Sequence, residues 1–502
     1  MNFNLLPVNK YLHGKCMTNG GKVFIREQKT SRTCTYSEFW NEIERFGSLL
    51  RDNGVRCGDR ILIRMDNSIT SLSVFFGSIV AGIIPVPISP KASNSELELI
   101  GATSGTVSLV GDNFHLSACQ DVSILNMNHL AGQVRKDQAL KEVNKMHDPV
   151  YVVYTSGSSG TAKEVVITHD NLLSELFSMA DAYALESNHC HLCVLPVCHA
   201  SALYRNILLP LHNGSEVVLL EGFDSDNFWK LIRDEQINFV QLVPSILSEL
   251  LMTSDNFTPG DQSSLVFIGS ASAPHPPELV SRFEQTFGVY VLQGYGMTEA
   301  TCTISLNPLK MEDRRPGSVG MPISVNNVTV LDDNGRPLPA GKTGRVIVSG
   351  RNVALNVSSV SIRNRIDADD PVLETGDLGY VDEDGFLWLV GRETDMIKRG
   401  GHRISPVEIE NEIMKCLNDV EVAVVGVPHP LLGQDIVVFI SDSKFTDLNS
   451  RKLLGKIKKT MESYKVPSRL IHVDSLPKLA VGKVDRQRLR EDYRKYHCNK
   501  YN

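Results

Sequence analysis

The chain has 502 residues, of which 42% are hydrophobic and 22% are charged, and its formal net charge at pH 7 is −7. A chain of this length rarely folds around one core, so we expect two or three domains. The composition is typical of a globular protein, and the acidic balance argues against nucleic-acid binding, which needs a basic face. The C-terminal segment is locally basic, which favours a solvated helical face over a phosphate-binding surface.

The N-terminal residues MNFNLLPVNKYLHGK lack the long apolar region and the small-residue cleavage site of a signal peptide. The most apolar window, residues 74–88, is shorter than a membrane span and contains Pro85 and Pro87. The ten cysteines show no disulfide-framework spacing, so reduced thiols are expected. We therefore expect a cytoplasmic protein without a transmembrane segment.

In the first part of the chain, predicted helices and strands alternate. YSEFWNEIERFGSLLRDNG has helical periodicity and would stop at Gly54, and GDRILIRM is typical of a strand. The apolar run 74–84 predicts a helix that leads into the strand IPVPISP. The pattern recurs farther along in SEVVLLEG, FWKLIRDE, NFVQLVP and SSLVFIGS, so we expect βαβ units and a parallel sheet.

Residues 151–169 read YVVYTSGSSGTAKEVVITH, in which two β-branched runs flank a loop of small and hydroxyl residues. Glycines let the backbone approach a bulky anion, hydroxyls donate hydrogen bonds, and Lys163 adds a compact positive charge. The pattern predicts a phosphate-binding loop between strands. Its spacing differs from that of P-loop NTPases, and no helix-forming run follows Lys163. A flexible linker is the alternative, although linkers rarely lie between two β-branched runs.

The segment HCHLCVLPVCHA at 189–200 is dense in histidine and cysteine, as zinc sites are. HCHLCVLP is nevertheless typical of a strand, in which alternate side chains point to opposite faces and cannot converge on one ion. Cysteine is also a common buried apolar residue. Packing is therefore favoured over zinc binding.

From about Val328 the pattern changes to strands separated by Asn-Gly and Pro/Gly turns, as in an antiparallel β-barrel or meander, with VDEDGFLWLVGR as a further hairpin. A smaller α+β unit follows, in which ISPVEIENEIMKCL and SRKLLGKIKKTMESY predict helices and VEVAVVGV and DIVVFIS predict strands. We predict an α/β protein: a large N-terminal domain, residues 1–393, with parallel-rich sheets, helices and a β-barrel-like subdomain, and a C-terminal domain, residues 394–502.

TSGSSGTAKEVVITH resembles the phosphate-binding loop of the adenylate-forming enzymes, a superfamily that includes acyl-CoA synthetases, peptide-synthetase adenylation domains and luciferases. Four further motifs are similar to that family's in order and spacing: PVCHA at 196–200, GYGMTEA at 294–300, TGDLG at 375–379 with GRETDMIKRGGHRISPVEIE at 391–410, and PKLAVGKVDR at 477–486. The resemblance covers almost the whole chain. It implies ATP-dependent activation of a carboxylic acid as an acyl-adenylate, with Mg²⁺ as a cofactor.

The resemblance implies a set of residues that hold the β- and γ-phosphates of ATP: Thr155, Ser156, Gly157, Ser158, Gly160, Thr161 and Lys163. It implies that Tyr295 stacks on adenine, that Thr298 hydrogen-bonds the α-phosphate, and that Glu299 binds Mg²⁺, which prefers oxygen ligands. Asp377 would accept the two ribose hydroxyls, supported by Arg392.

By the same resemblance, Lys483 would stabilise charge on the substrate carboxylate and the α-phosphate. His199 matches the gate to the carboxylate pocket. Ser270, Ala271 and Ser272 match the small-residue strand end that lines adenine and the acyl group. LPVCHASALYRN contains no Asp or Glu to pair with an α-ammonium group, so we expect an acid without an α-amino group.

The second half-reaction of this family uses a rotated C-terminal domain, which is therefore expected to be small, mobile and α+β. Gly400 and Gly401 would border a narrow tunnel for a phosphopantetheine arm, because glycine lets that arm pass close to the backbone. The arm could belong to coenzyme A or to an acyl carrier protein. Our main hypothesis is an acyl-CoA synthetase; the alternatives are a stand-alone ligase that loads a carrier protein and a catalytically impaired nucleotide-binding regulatory protein.

Four positions depart from the family's pattern. Ala162 and Glu164 replace its usual proline and glycine, Thr394 stands at its hinge position, and Leu479 replaces a threonine. A carboxylate that faced a triphosphate would repel it. We favour a Glu164 side chain that points outward from the start of the following strand, where an exposed charge has little effect.

Overall fold

The computed structural model of the protein describes residues 6–93, 96–97, 100, 106–110, 123–125, 145–156, 162–354, 370–417, 420–441, 447–478 and 484–497. Within this part of the chain, no helix combines the length and the apolarity that crossing a bilayer requires.

Among the described residues, the largest sheet has nine strands and a parallel centre, and its edges are antiparallel. Strands at the centre are buried along their whole length, which explains why SSLVFIGS and NFVQLVP read as continuous apolar runs. In spatial order the strands are Met321–Pro322, Ser305–Leu306, Val291–Tyr295, Phe267–Ser270, Phe239–Leu242, Cys190–Cys193, Glu216–Leu219, Val23–Glu27 and Arg32–Thr35.

A second parallel sheet holds, in order, strands Ile84–Ile88, Arg60–Arg64, Thr106–Val110 and Ser123–Leu125. The apolar helix before it spans Ile69–Val80 rather than the predicted 74–84. It begins earlier because the hydroxyl of Ser68 accepts a hydrogen bond from the Ser71 amide, and it ends earlier because the strand begins at Ile84.

The remaining N-terminal strands form a two-stranded antiparallel hairpin, Pro149–Ser156 with Ala162–Thr168, and a four-stranded antiparallel meander. The strands of the meander are Asn326–Leu331, Gly344–Gly350, Val372–Val381 and Leu387–Arg392. The strands expected on both sides of the phosphate-binding loop are therefore present, and a strand, not a helix, follows Lys163. The predicted hairpin of VDEDGFLWLVGR is also present.

The helices lie on the faces of these sheets. One of them, Tyr36–Asp52, begins with a capping box between Thr35 and Glu38 and ends before Gly54, whose φ is +88°. The α-helices described are Val8–Thr18, Tyr36–Asp52, Ile69–Val80, His169–Tyr183, Ala200–Ala202, Leu209–Asn213, Phe228–Asp234, Pro244–Met252, Pro277–Phe287, Pro406–Met414, Asp447–Thr460 and Arg486–His497. A π-helical segment, Leu203–Leu208, joins two of them, and short 3₁₀ turns occupy Ser254–Asn256, Thr298–Ala300, Met311–Asp313, Glu393–Asp395 and Ser463–Lys465.

In the part of the C-terminal region that the structure describes, the sheet has five strands: His402–Ile404, Ile397–Arg399, Gly433–Ser441, Glu421–His429 and Arg469–Val473. Apolar side chains cover both of its faces and form two clusters, one that includes Ile397 and Ile409 and another that includes Val425 and Leu489. The 3₁₀ turn Glu393–Asp395 connects the meander to this sheet. The α/β class is confirmed, and the boundary between residues 393 and 394 stays a prediction.

Candidate functional site

Three residues predicted to bind the nucleoside lie together. Tyr295 ends a strand of the nine-stranded sheet, and Asp377 and Arg392 are opposite each other on two strands of the meander. The Tyr295 hydroxyl donates to Asp377 Oδ2 at 2.5 Å, and Arg392 Nε donates to Asp377 Oδ1 at 3.2 Å. The two motifs are 82 residues apart in the chain and meet at this carboxylate.

Burial and neighbouring charges keep both Tyr295 and Arg392 protonated next to Asp377. Burial raises the pKa of Tyr295 well above its usual value, and the neighbouring Asp377 carboxylate raises it further, so the hydroxyl stays protonated and donates. Burial alone would lower the pKa of Arg392, but Asp377, Tyr295 and Glu299 outweigh it and raise the pKa. A carboxylate can accept about four hydrogen bonds. Asp377 therefore keeps acceptor capacity for two further hydroxyls.

The GYGMTEA segment turns sharply after Tyr295. A Cβ on Gly296 would lie 1.8 Å from the carbonyl oxygen of Cys302, so only glycine fits where the chain folds back on itself. Thr301 has a φ of +64°, a strained value for a β-branched residue, and its hydroxyl donates to the Asn352 carbonyl at 2.5 Å. This strained turn presents Thr298 and Glu299, whose side chains are half-buried.

The oxygen atoms of this turn fit a magnesium ion. Among the described residues, the Glu299 carboxylate accepts no hydrogen bond and forms no ion pair within 4 Å, and the Thr298 hydroxyl is likewise uncommitted. Magnesium is usually held by one or two carboxylates together with substrate phosphates and water. Glu299 therefore has the chemistry that a magnesium ligand needs.

Ser270, Ala271 and Ser272 lie at the carboxyl end of the strand next to the one that ends in Tyr295. The hydroxyl of Ser270 is 2.7 Å from His275 Nε2, and burial lowers the pKa of His275 to about 4, so this imidazole is neutral. Ser272 has a φ of +77°. The structure thus places the predicted lining residues at the end of a strand that is adjacent to the one carrying Tyr295, and it adds His275, which the sequence analysis did not identify.

His199 precedes the helical segment that begins at Ala200, and burial lowers its pKa. The Ala200 carbonyl accepts a hydrogen bond from the Cys302 thiol at 3.7 Å, which brings the PVCHA segment against the loop that follows GYGMTEA. The neighbouring strand Cys190–Cys193 is buried, and burial lowers the pKa of His191 to about 3. Within the described ranges, no group of three or more His, Cys, Asp or Glu side chains is placed to bind a metal ion.

The hairpin of the phosphate-binding loop is closed by the pair Ser156 and Ala162, and Thr155 lies opposite Lys163 one step below it. Glu164 is the third residue of its strand, not the first, and its carboxylate is half-buried and bonded to Arg60 and Tyr154. The exposed carboxylate at the start of the strand, favoured from the sequence, is therefore wrong, whereas its orientation away from the phosphates stays a prediction. The predicted residues Gly157, Ser158, Gly160, Thr161 and Lys483 lie outside the described residues, as does Leu479.

Gly400 and Gly401 form the two-residue turn between strands Ile397–Arg399 and His402–Ile404. Their φ angles are +57° and +85°, which favour glycine in a tight hairpin. A cleft of about 340 Å³ lies beside this turn, and its lining residues are Glu393, Lys398, Gly401, His402 and Arg403. The described contacts place this turn beside the cleft and Leu432, and none of them joins it to Tyr295 or Asp377.

A buried polar network contacts the residues that follow the GYGMTEA turn. Arg205 is fully buried and donates to the hydroxyls of Tyr183, at 2.7 Å, and of Thr303, at 2.8 Å. Glu175 accepts hydrogen bonds from the Thr303 amide at 2.7 Å and from the Asn352 side chain at 2.8 Å. No local sequence pattern marks these residues, because their partners are far apart in the chain.

Burial raises the pKa of Glu175 from 4.5 to about 7, although hydrogen bonds from Asn352 and Thr303 and the charge of Arg205 oppose the shift. The folded state therefore holds this proton more tightly than the unfolded state. We expect the free energy of unfolding to fall by roughly 3 kcal/mol as the pH rises from about 4.5 to about 7. Above about pH 7, Glu175 should make the free energy of unfolding no further dependent on pH. Denaturant titrations between pH 5 and pH 8 should show this slope in the wild type and not in Glu175→Gln, whereas the exposed control Glu44→Gln should retain it.

Most of the chain is similar to known proteins. Residues 13–356 match the family described as AMP-binding enzyme, and residues 408–483 match the AMP-binding enzyme C-terminal domain. The oxalate–CoA ligase of Arabidopsis thaliana is 28% identical over 474 residues, which are 90% of this chain and 92% of that protein. A feruloyl-CoA synthase from an Amycolatopsis species is 30% identical over 456 residues, 90% of this chain and 92% of that protein.

Among solved structures, ATP-bound MatB from Rhodopseudomonas palustris superposes with a TM-score of 0.88 at 25% identity, covering 98% of this chain and all of that one. The fold and the matched residue ranges agree with the resemblance drawn from the sequence, which is confirmed. The chain belongs to the AMP-binding enzyme family, the adenylate-forming enzymes that include the CoA ligases.

Proposed function

We propose that the protein activates a carboxylic acid as its acyl-adenylate, releases pyrophosphate, and transfers the acyl group to the thiol of coenzyme A. The observation that carries this proposal is the contact of Tyr295 and Arg392 with Asp377, next to the uncommitted oxygens of Thr298 and Glu299. In the proposal these residues form a nucleoside site next to a site for a hard cation, as suits a chain of the AMP-binding family.

A carboxylate is a poor electrophile, and joining it to AMP supplies a good leaving group. Attack on the α-phosphate needs charge neutralisation and alignment more than a protein nucleophile. In the proposal, Asp377 holds the ribose hydroxyls, Tyr295 stacks on adenine, and Thr298 hydrogen-bonds the α-phosphate. Mg²⁺, when bound at Glu299, offsets phosphate charge. The loop from Thr155 to Lys163 holds the outer phosphates, and Lys483 stabilises the charge that develops as the new bond forms.

The acid is expected to lack an α-amino group and to enter past His199, towards Ser270, Ala271 and Ser272. For the second step, residues 394–502 would rotate as a unit and bring Gly400 and Gly401 to the adenylate. The relatives named above are CoA ligases, which favours coenzyme A over an acyl carrier protein as the acceptor. A cytoplasmic setting, where ATP and coenzyme A are available, is part of the proposal.

Carboxylate-dependent exchange of pyrophosphate into ATP tests the first step, with a panel that includes oxalate, ferulate, fatty acids of several lengths and an amino acid. We expect exchange with at least one acid that lacks an α-amino group. Coenzyme A and a pantetheinylated carrier protein are then compared as acceptors by AMP release. Exchange with the amino acid alone would contradict the substrate class, transfer to the carrier protein alone would favour the carrier-loading alternative, and ATP binding without exchange for any acid would favour the regulatory one.

A further inference from the structure

Glu164 lies in a place where a negative charge should hinder ATP. It follows Lys163 directly, and across the hairpin it pairs with Tyr154, two steps below the closing pair of Ser156 and Ala162. The loop above that pair holds the outer phosphates in the proposed function. A carboxylate so close to a bound polyanion repels it and raises the free energy of the complex, unless another group compensates for the charge.

The structure shows how the charge is compensated. Arg60 donates to both carboxylate oxygens of Glu164, at 2.9 and 3.1 Å, and the Tyr154 hydroxyl donates at 2.7 Å. Burial alone would raise the pKa of Glu164, but these hydrogen bonds and the charge of Arg60 outweigh it and lower the pKa, so the carboxylate is ionised. Two parallel N–H···O bonds from one guanidinium fix both the distance and the orientation of the partner.

The pair also joins two separate parts of the fold. Arg60 begins a strand at the centre of the second parallel sheet, whereas Glu164 belongs to the two-stranded hairpin. The residues are 104 positions apart in the chain, and each side chain is 26% exposed, so neither is a freely solvated charge. Partial burial lets the ion pair persist at moderate ionic strength.

We propose that Arg60 and Glu164 form a positioning pair for the phosphate-binding hairpin, in which Arg60 neutralises the carboxylate and fixes the base of the hairpin to the neighbouring sheet. The inference rests on the proposed function of the loop. It accounts for an acidic residue where the family's loop usually has glycine: the rigidity that the pair supplies replaces the freedom of a glycine backbone, and the charge is cancelled within the protein.

The test compares Arg60→Ala, Glu164→Gln and the double variant Arg60→Ala/Glu164→Ala in pyrophosphate exchange, and measures ATP binding by calorimetry, which needs no acid substrate. Arg60→Ala exposes the carboxylate to ATP and should raise the KM and the Kd for ATP about tenfold, less at high salt. The double variant removes the carboxylate but also the link between the hairpin and the sheet, so it should recover part of that loss and still bind ATP more weakly than wild type. Glu164→Gln removes the charge but keeps an acceptor for Arg60, so its Kd for ATP should lie below that of Arg60→Ala. The matched control is Arg345→Ala, which breaks the comparably exposed pair of Arg345 and Glu374 and should leave ATP binding unchanged.

A purely structural role predicts a different result: Arg60→Ala and the double variant would be equally impaired, without salt dependence, and this would overturn the inference. Unchanged ATP affinity in a folded Arg60→Ala protein would also overturn it. If that variant does not fold, Arg60→Lys keeps the charge but not the two parallel bonds; an intermediate KM supports the pair, and a wild-type KM contradicts it. Wild-type protein that does not bind ATP would refute the proposed function as well, whereas failure of the variants alone refutes only the pair.

Discussion

Replacing Lys483 with alanine is expected to slow adenylate formation by roughly 10²–10³-fold, the usual loss when one oriented charge donor is removed from a transition state. Thioester formation from supplied acyl-AMP should be largely retained, because that step is proposed to use the other face of the C-terminal domain. Pyrophosphate exchange measures the first rate, and release of AMP from synthetic acyl-AMP in the presence of coenzyme A measures the second.

Lys478 provides a matched control in the same segment. Its ammonium forms a surface ion pair with Glu421 at 2.6 Å, and such pairs contribute little. Lys478→Ala should therefore leave both half-reactions near wild type. Equal loss of the two half-reactions in Lys483→Ala would contradict a specific role of Lys483 in adenylation. A normal exchange rate would show that Lys483 has no part in the chemistry.

Much of the fold could be predicted from the sequence because buried parallel strands leave a local signature. The strands within NFVQLVP and SSLVFIGS are buried on both faces. Such strands are continuous apolar runs in the sequence, which is why they could be recognised. Boundaries were harder to predict. The apolar helix begins at Ile69, since a polar cap at Ser68 and not the start of the hydrophobic run sets its first turn.

The nucleoside contacts could be predicted only through the resemblance. No periodicity indicates that Tyr295 will donate to Asp377, because the contact depends on where the meander packs against the nine-stranded sheet. The partner of Glu164 is a harder case. From the sequence, the Glu164 carboxylate would either face and repel ATP or be exposed to solvent with little effect. The structure shows a third arrangement, in which a guanidinium from a different sheet neutralises the carboxylate.

A bulky residue at Gly401 is expected to block thioester formation while pyrophosphate exchange continues. The proposed tunnel for the pantetheine arm passes this residue, and filling such a space costs about 1–3 kcal/mol, or roughly 5- to 150-fold in rate. Gly401 has a φ of +85°, so any side chain there also strains the backbone. Gly401→Ala is the matched control, since it carries that strain with little bulk, and the space around its Cβ is open.

Both half-reactions are measured for Gly401→Leu and Gly401→Ala, together with the thermal stability of each variant. The tunnel assignment predicts that the leucine variant loses thioester formation far more than the alanine variant, whereas the two are equally destabilised and keep exchange near wild type. Equal loss of thioester formation in both variants would assign the effect to the conformation of the hairpin turn at 400–401. Loss of exchange in a folded leucine variant would show that this turn already acts during adenylation, before the C-terminal domain is proposed to rotate.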